Sequence, residues 1–146
     1  MAITQAMCTS FKEDLFQKEQ DLDTDAIYIA LYTSSASLDA ATTAYTTSGE
    51  ITNASGTAYT AGGQQLTNPV IGTSGTTAYV DFDNPEWSSA SFTTAGALIY
   101  NRTVWLSDNS KGSIAVLNFG GDFTVTSGTF RIVFPSPGAA GLIRID

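Results

Sequence analysis

A glycine pair, Gly62 and Gly63 in the stretch GTAYTAGGQQLTNP, has the residue type that could hold a phosphate. A phosphate-binding P-loop needs the pattern G-x-x-x-x-G-K-[ST] between a strand and a helix, with its lysine reaching the phosphates. Two glutamines follow the glycines here, and no lysine occurs between Lys18 and Lys111. We therefore predict a turn, where glycine adopts positive φ without strain, followed by a short strand through Leu66.

A carboxylate cluster in YVDFDNPEW could do acid–base chemistry. Asp81 and Asp83 would lie on the same face of a strand, with Glu86 close behind, so a glycosidase pair is conceivable. The same Asp-Asn-Pro-Glu string is typical of a strand end followed by a turn. We favour the turn and expect no catalysis from these residues.

The segment DLDTDA places Asp21, Asp23 and Asp25 at alternate positions, as the start of a calcium-binding loop does. An EF-hand also needs glycine at its sixth position and glutamate at its twelfth, where this chain has Ala26 and Tyr32. The pattern is compatible with a weak surface cation site or with a solvated linker. We expect the linker, and no metal.

Nucleophilic catalysis lacks its usual base, because the sequence contains no histidine. Ser-His-Asp and Cys-His arrangements are thereby excluded, and so are nearly all zinc sites. Cys8 is the single cysteine, and we predict that it is a buried small apolar residue. We expect no catalytic residue, no cofactor and no enzymatic activity.

The distribution of charge disfavours nucleic acids and membranes as partners. The formal net charge is −8, and the six Lys and Arg residues are scattered with no two adjacent. A phosphate backbone or an anionic lipid surface requires clustered cations. No apolar run approaches the roughly 20 residues that span a bilayer, and the N-terminus does not have the pattern of a secretory signal. Together with the single cysteine, this predicts synthesis in a reducing cytoplasm.

An N-terminal helical segment is predicted over residues 1–20. Ile3, Met7, Phe11 and Leu15 recur every four residues with polar residues between them, which is typical of a helix with one apolar face. That face must pack either on the body of the domain or on a partner chain, and we favour the domain.

Residues 26–146 read as a β-sandwich, so that residues 1–146 form a single domain. In AIYIALYT, apolar residues alternate with tyrosines and alanine, as strand residues do. Similar segments, bounded by turn residues, recur to give about eight short strands, which is typical of a sandwich or barrel. The predicted class is all-β, a jelly-roll-like sandwich with a short N-terminal helix. The predicted strands are AIYIALYT, TAYTA, TTAYVDF, SFTTAGALIYNRTVWL, SIAVLNF, TFRIVFP and GLIRI, with a further short strand after Gly63.

Three aromatic residues, Trp87, Tyr100 and Trp105, could stack on sugars, and jelly rolls include lectins. Aromatic residues at strand ends are more often core residues or interface anchors, which is the interpretation that we favour.

The whole chain resembles one protein family, in the same order of segments. The residues that carry the resemblance are QAMCTSFKEDL, IYIALYTSSASLDAATTAYTTSGEI, YTAGGQQLTN, AYVDFDNPEWSSASFTTAGALIYN, AVLNFGG and TFRIVFPSPGAAGLIRI. They are similar to capsid cement (head decoration) proteins of tailed, especially short-tailed, bacteriophages. The segments QKEQDLDTD and NRTVWLSDNSK resemble this family least.

The resemblance implies a jelly-roll fold and a mechanical task. Such a protein is a structural virion component, made in the bacterial cytoplasm, that binds the exterior of the capsid across junctions of the major capsid protein. It stabilises the expanded, DNA-filled shell. The implied partners are the major capsid protein and a second copy in a homodimer, with no direct contact to nucleic acid or membrane.

We predict that the capsid or dimer interface uses the N-terminal helix and the loop of residues 33–57. The candidate residues are Met7, Phe11, Leu15, Trp87 and Phe92. Two other functions stay open. One is a carbohydrate- or receptor-binding jelly-roll module of a phage tail, using Trp87 or Trp105. The other is a glycosidase that uses Asp81 and Asp83.

Overall fold

The computed structural model describes residues 2–146. Over this range the chain forms eight strands and two helices. The strands form two antiparallel sheets, which confirms the predicted all-β sandwich. In chain order they are β1 (Ala6–Met7), α1 (Thr9–Phe16), β2 (Ile27–Tyr32), β3 (Gln64–Gln65), β4 (Val70–Ser74), β5 (Thr77–Asp81), β6 (Glu86–Asn101), α2 (Arg102–Ser107), β7 (Ser113–Arg131) and β8 (Ile143–Ile145).

The strand order separates a large sheet from a small one. The large sheet has the order β1-β7-β6-β2-β3, and the small sheet has the order β4-β5-β8. The longest ladder joins β6 to β7, from the pair Glu86 and Arg131 to the pair Tyr100 and Ser113, with several register shifts along it. Buried residues of both sheets and of α1 form one hydrophobic cluster, which holds the two sheets together.

The N-terminal helix is shorter than predicted. The segment before α1 is extended: Ile3 forms a bridge with Leu38, and β1 pairs with β7. The predicted common helical face of Ile3, Met7, Phe11 and Leu15 is therefore wrong for its first two members. Backbone hydrogen bonds to the sandwich replace helical ones there, because the chain lies within reach of β7.

The number of strands is as predicted, but some of the segments that form them differ. TAYTA is not a strand, and VIGTS, which was not predicted, forms β4. SFTTAGALIYNRTVWL divides into the end of β6 and the helix α2. The side chain of Asn101 starts that helix, since its Oδ1 accepts a hydrogen bond from the Val104 N–H at 3.0 Å.

The long connection of residues 33–63 covers the outer edge of β2. At that edge no strand lies beside the N–H and the carbonyl of Leu31. The connection supplies a hydrogen-bond partner for each of these two groups. The Ile51 N–H donates to the Leu31 carbonyl at 3.0 Å, and the Leu31 N–H donates to the Tyr59 hydroxyl at 3.0 Å. A tyrosine hydroxyl thus fills a position of the ladder where no neighbouring strand is present.

The glycine pair forms a turn that leads into β3, as predicted. Gly62 and Gly63 have φ values of +93° and +82°. A Cβ atom at Gly63 would lie 1.8 Å from the carbonyl oxygen of Ile29. Only glycine allows this close approach of the turn to β2.

We expect Gly63→Ala to lower the free energy of unfolding by roughly 3 kcal/mol, because the new Cβ would force the turn away from β2 in addition to straining its φ. Gly56→Ala is the matched control, since Gly56 also has positive φ, at +90°, but no atom lies within 4 Å of the added Cβ. That variant should lose only about 1 kcal/mol. Urea unfolding of both proteins measures the difference, and equal losses would contradict the steric explanation.

Candidate functional site

The carboxylates of YVDFDNPEW do not form an accessible pair. Asp81 ends β5 and is 1% exposed, and its Oδ1 accepts a hydrogen bond from the Phe82 N–H at 2.9 Å. Asp83 lies beyond the strand, is exposed, and accepts a hydrogen bond from the side-chain amide of Asn68. The expectation that Asp81 and Asp83 share one face of a strand is therefore wrong, because the strand ends between them.

The three aspartates of DLDTDA are used in a turn. Asp21 Oδ1 accepts hydrogen bonds from the N–H groups of Asp23 and Thr24, at 3.0 and 3.3 Å. Hydrogen bonding with the Thr24 side chain, followed by the bonds from these N–H groups, holds the pKa of Asp21 below its ordinary value. Asp25 Oδ2 accepts from the Asp21 N–H and from the amide of Asn101. Within residues 2–146 no group of three or more acidic or cysteine side chains is placed to hold a metal ion.

Cys8 is buried, as predicted. It immediately precedes α1, and its side chain is 0% exposed. Burial raises the pKa of its thiol, which opposes formation of the reactive thiolate.

A cluster of tyrosines around Glu50 was not predicted. Glu50 accepts three hydrogen bonds: from the hydroxyl of Tyr45 at 2.6 Å, from the hydroxyl of Tyr59 at 2.6 Å, and from the N–H of Gly62 at 2.7 Å. Tyr45 in turn stacks on Tyr100, with ring centroids 4.8 Å apart. The only sequence signal was the abundance of tyrosine in a polar segment, which says nothing about a shared acceptor.

The environment of this cluster keeps its tyrosines protonated. Burial, assisted by the hydrogen bond to Glu50, raises the pKa of Tyr45 and of Tyr59. Burial also raises the pKa of Tyr32, with the Glu50 charge adding to it, and raises that of Tyr100 to about 12. A neutral hydroxyl is required in each case because it donates a hydrogen bond.

Trp87 and Phe92, two of the predicted interface residues, lie in the core of the structure. They are 5% and 8% exposed, and they pack edge to face with ring centroids 6.4 Å apart. Tyr59 and Phe130 complete this aromatic cluster. Side chains buried to this degree offer little surface to a protein or to a sugar. Trp105, the other proposed sugar platform, is half-buried on α2 and meets the ring of Tyr45 edge-on.

An open apolar groove lies between α1 and the small sheet. Its first part, the sheet side, is a cavity of about 330 Å³ above the face of the small sheet. Side chains from α1, from the segment after it, and from all three strands line it: Phe11, Leu15, Lys18, Gln20, Asp21, Leu22, Ile71, Ala78, Tyr79, Val80, Ile143 and Ile145.

The second part of the groove, the edge side, is a cavity of about 570 Å³ and shares Leu15 and Ile145 with the first. It is lined by Met7, Lys12, Leu15, Phe16, Arg144 and Ile145. We call the two parts together the α1 groove. Phe16 is 92% exposed at its rim, and Ile71 and Ile145 are 55% and 51% exposed within it.

The α1 groove includes three of the five predicted interface residues. Met7 and Leu15 are half-buried in its wall. Phe11 is 2% exposed, so it supports the groove from the core and offers almost no surface of its own. Phe16, the most exposed large apolar side chain among the described residues, was not among the predicted interface residues.

Comparison of the chain with protein-family models, with curated proteins and with solved structures gives no match. No helix among the described residues has both the length and the apolar character needed to cross a bilayer.

We expect the protein to lose stability steeply above about pH 10, where the tyrosines of an unfolded chain ionise. The raised pKa values of Tyr32 and Tyr59 keep these residues protonated in the fold. Their contribution is therefore complete below pH 10 and is lost as the pH rises toward their folded pKa values. Each should reduce the free energy of unfolding by about 1.4 kcal/mol per pH unit in that range.

Urea unfolding at several alkaline pH values, together with the absorbance of tyrosinate, tests this expectation. Tyr59→Phe should show a shallower loss of stability with pH than the unaltered protein. Titration of all six tyrosines near pH 10 in the folded protein would contradict it.

Proposed function

We propose that this chain is a structural virion protein of the capsid cement type. In this role it binds the outer surface of a phage capsid across junctions of the major capsid protein and stabilises the expanded, DNA-filled shell. The observation that carries the proposal is the α1 groove with its exposed Phe16, because a contiguous apolar surface of this kind is typical of protein–protein contacts.

Composition supports a protein contact over other partners. Charged residues make up only 14% of the chain, well below the roughly 25% of an ordinary domain. The net charge of −8 disfavours a polyanion as the partner. The resemblance of the whole chain to capsid cement proteins selects the capsid among possible protein partners.

The proposed task requires rigidity in addition to a contact surface. A cement protein resists separation of two subunits only if force applied at one contact reaches the other without unfolding the domain between them. The Glu50 cluster and the paired edge of β2 provide such a connection, because the long loop is hydrogen-bonded to the sheet. Modest energy per contact is sufficient when many copies act on one shell.

Mixing the purified chain with expanded, undecorated shells tests the proposal. After sedimentation, quantitative mass spectrometry should report copies of this chain in a fixed, high ratio to the major capsid protein, and decorated shells should withstand more heat. Absence of co-sedimentation would refute the proposal. A ratio of only a few copies per particle would favour the alternative, a carbohydrate- or receptor-binding module of the tail.

We expect Phe16→Ser to weaken shell binding by about tenfold or more, since burying a phenylalanine contributes about 1.5–3 kcal/mol. The fold should be unchanged because Phe16 is 92% exposed. Leu106→Ser is the matched control: Leu106 is 64% exposed on α2 and does not line the α1 groove. Equal binding by both variants would show that the groove is not the contact.

A further inference from the structure

The cations of this acidic chain are concentrated at the α1 groove. Of its six Lys and Arg residues, Lys12, Lys18 and Arg144 line the groove, although the net charge is −8. On the sheet side Lys18 is accompanied by Asp21. On the edge side, among the described residues, Lys12 and Arg144 have no carboxylate beside them in the lining. The lining of this end of the groove therefore combines apolar side chains with two cations.

The edge side also borders an unpaired strand edge. β8 is the last strand of the small sheet, with β5 on one side of it. The edge side is lined by β8 and α1 residues and by Met7, with none from β5, as expected of a surface along the other edge of β8. The backbone groups of that edge are available to an incoming extended chain, in the manner of a sheet that gains a strand.

We propose that the α1 groove binds an extended segment of the partner protein that carries apolar side chains at alternate positions and at least one carboxylate. The segment adds to β8 as a further strand of the small sheet. The proposal rests on the proposed function in one respect only: it takes the partner to be the shell protein.

The lining residues define the place of each group of that segment. Apolar side chains on one face enter between Leu15, Phe16 and Ile145, where they lose contact with water. The carboxylate lies against Lys12 and Arg144. The guanidinium of Arg144 already donates one hydrogen bond to the Ala139 carbonyl at 3.0 Å, which orients its remaining donors.

Synthetic octapeptides test the chemistry of the groove without a shell. The probes alternate leucine with aspartate, leucine with lysine, and serine with aspartate, and fluorescence anisotropy measures their binding to the full chain at low salt. We expect the Leu/Asp peptide to bind about tenfold more tightly than either of the others, with a preference over Leu/Lys that shrinks near 0.5 M salt. Equal binding of the Leu/Asp and Leu/Lys peptides, or no binding of the Leu/Asp peptide, would overturn the proposal.

Charge reversal locates the binding site. Lys12→Glu combined with Arg144→Glu should weaken binding of the Leu/Asp peptide about tenfold or more. Lys111→Glu is the control, because Lys111 lies on a different surface beside Glu19, Asp25 and Asp108. Loss of folding is excluded by comparing the circular dichroism of all variants. An unchanged affinity in the double variant would overturn the proposal.

Two further measurements separate this inference from the proposed function. If the unaltered chain binds the peptide but does not sediment with shells, the proposed function fails and the groove chemistry stands. If the chain decorates shells and the double variant does so equally well, the groove assignment fails and the function stands. Light scattering that shows a dimer, disrupted by the double variant but not by excess peptide, would identify a second copy as the occupant and overturn the proposal.

Discussion

The arrangement of the long loop depends on the hydrogen bonds that the Glu50 carboxylate accepts. Residues 33–63 contain no helix or extended strand of their own, so their backbone must find partners elsewhere. Glu50 accepts hydrogen bonds from two tyrosine hydroxyls and one backbone N–H, each at 2.7 Å or less. A single acceptor thereby connects three separate positions of the loop. One of its donors, Tyr59, also satisfies the backbone of β2, which joins the loop to the sheet.

This arrangement accounts for the burial of β2. A strand with one face on the core and the other in water shows alternating burial, but five of the six residues of β2 are buried. The loop covers one face and one edge of the strand, and its tyrosines remain neutral because they lie away from water and donate hydrogen bonds. Gly63 allows the loop to approach closely, since its missing Cβ leaves room for the carbonyl of Ile29.

Apolar surface remains open in the α1 groove. The helix α1 is too short to cover the small sheet completely, so a groove is left beside it. The helix α1 contributes both to the core and to the open surface, since Phe11 is 2% exposed and Phe16 is 92% exposed. Two cations at the edge side add a preference for negative charge.

The class of the fold was determined by the sequence alone, because alternation of apolar residues and regularly spaced turn residues are local properties of the chain. The glycine turn was predicted from its local pattern, and the burial of Cys8 from the absence of any histidine that could activate it. The function that we propose also began as an expectation from the sequence, through its resemblance to capsid cement proteins. Only the tertiary structure placed Ile3 and Met7 in extended backbone, because hydrogen bonds to Leu38 and to β7 compete with the helix that their spacing favours. It also moved Trp87 and Phe92 into the core and joined Glu50 to Tyr59 and Gly62. These outcomes depend on residues distant in the sequence, whose packing and hydrogen bonding no local pattern specifies.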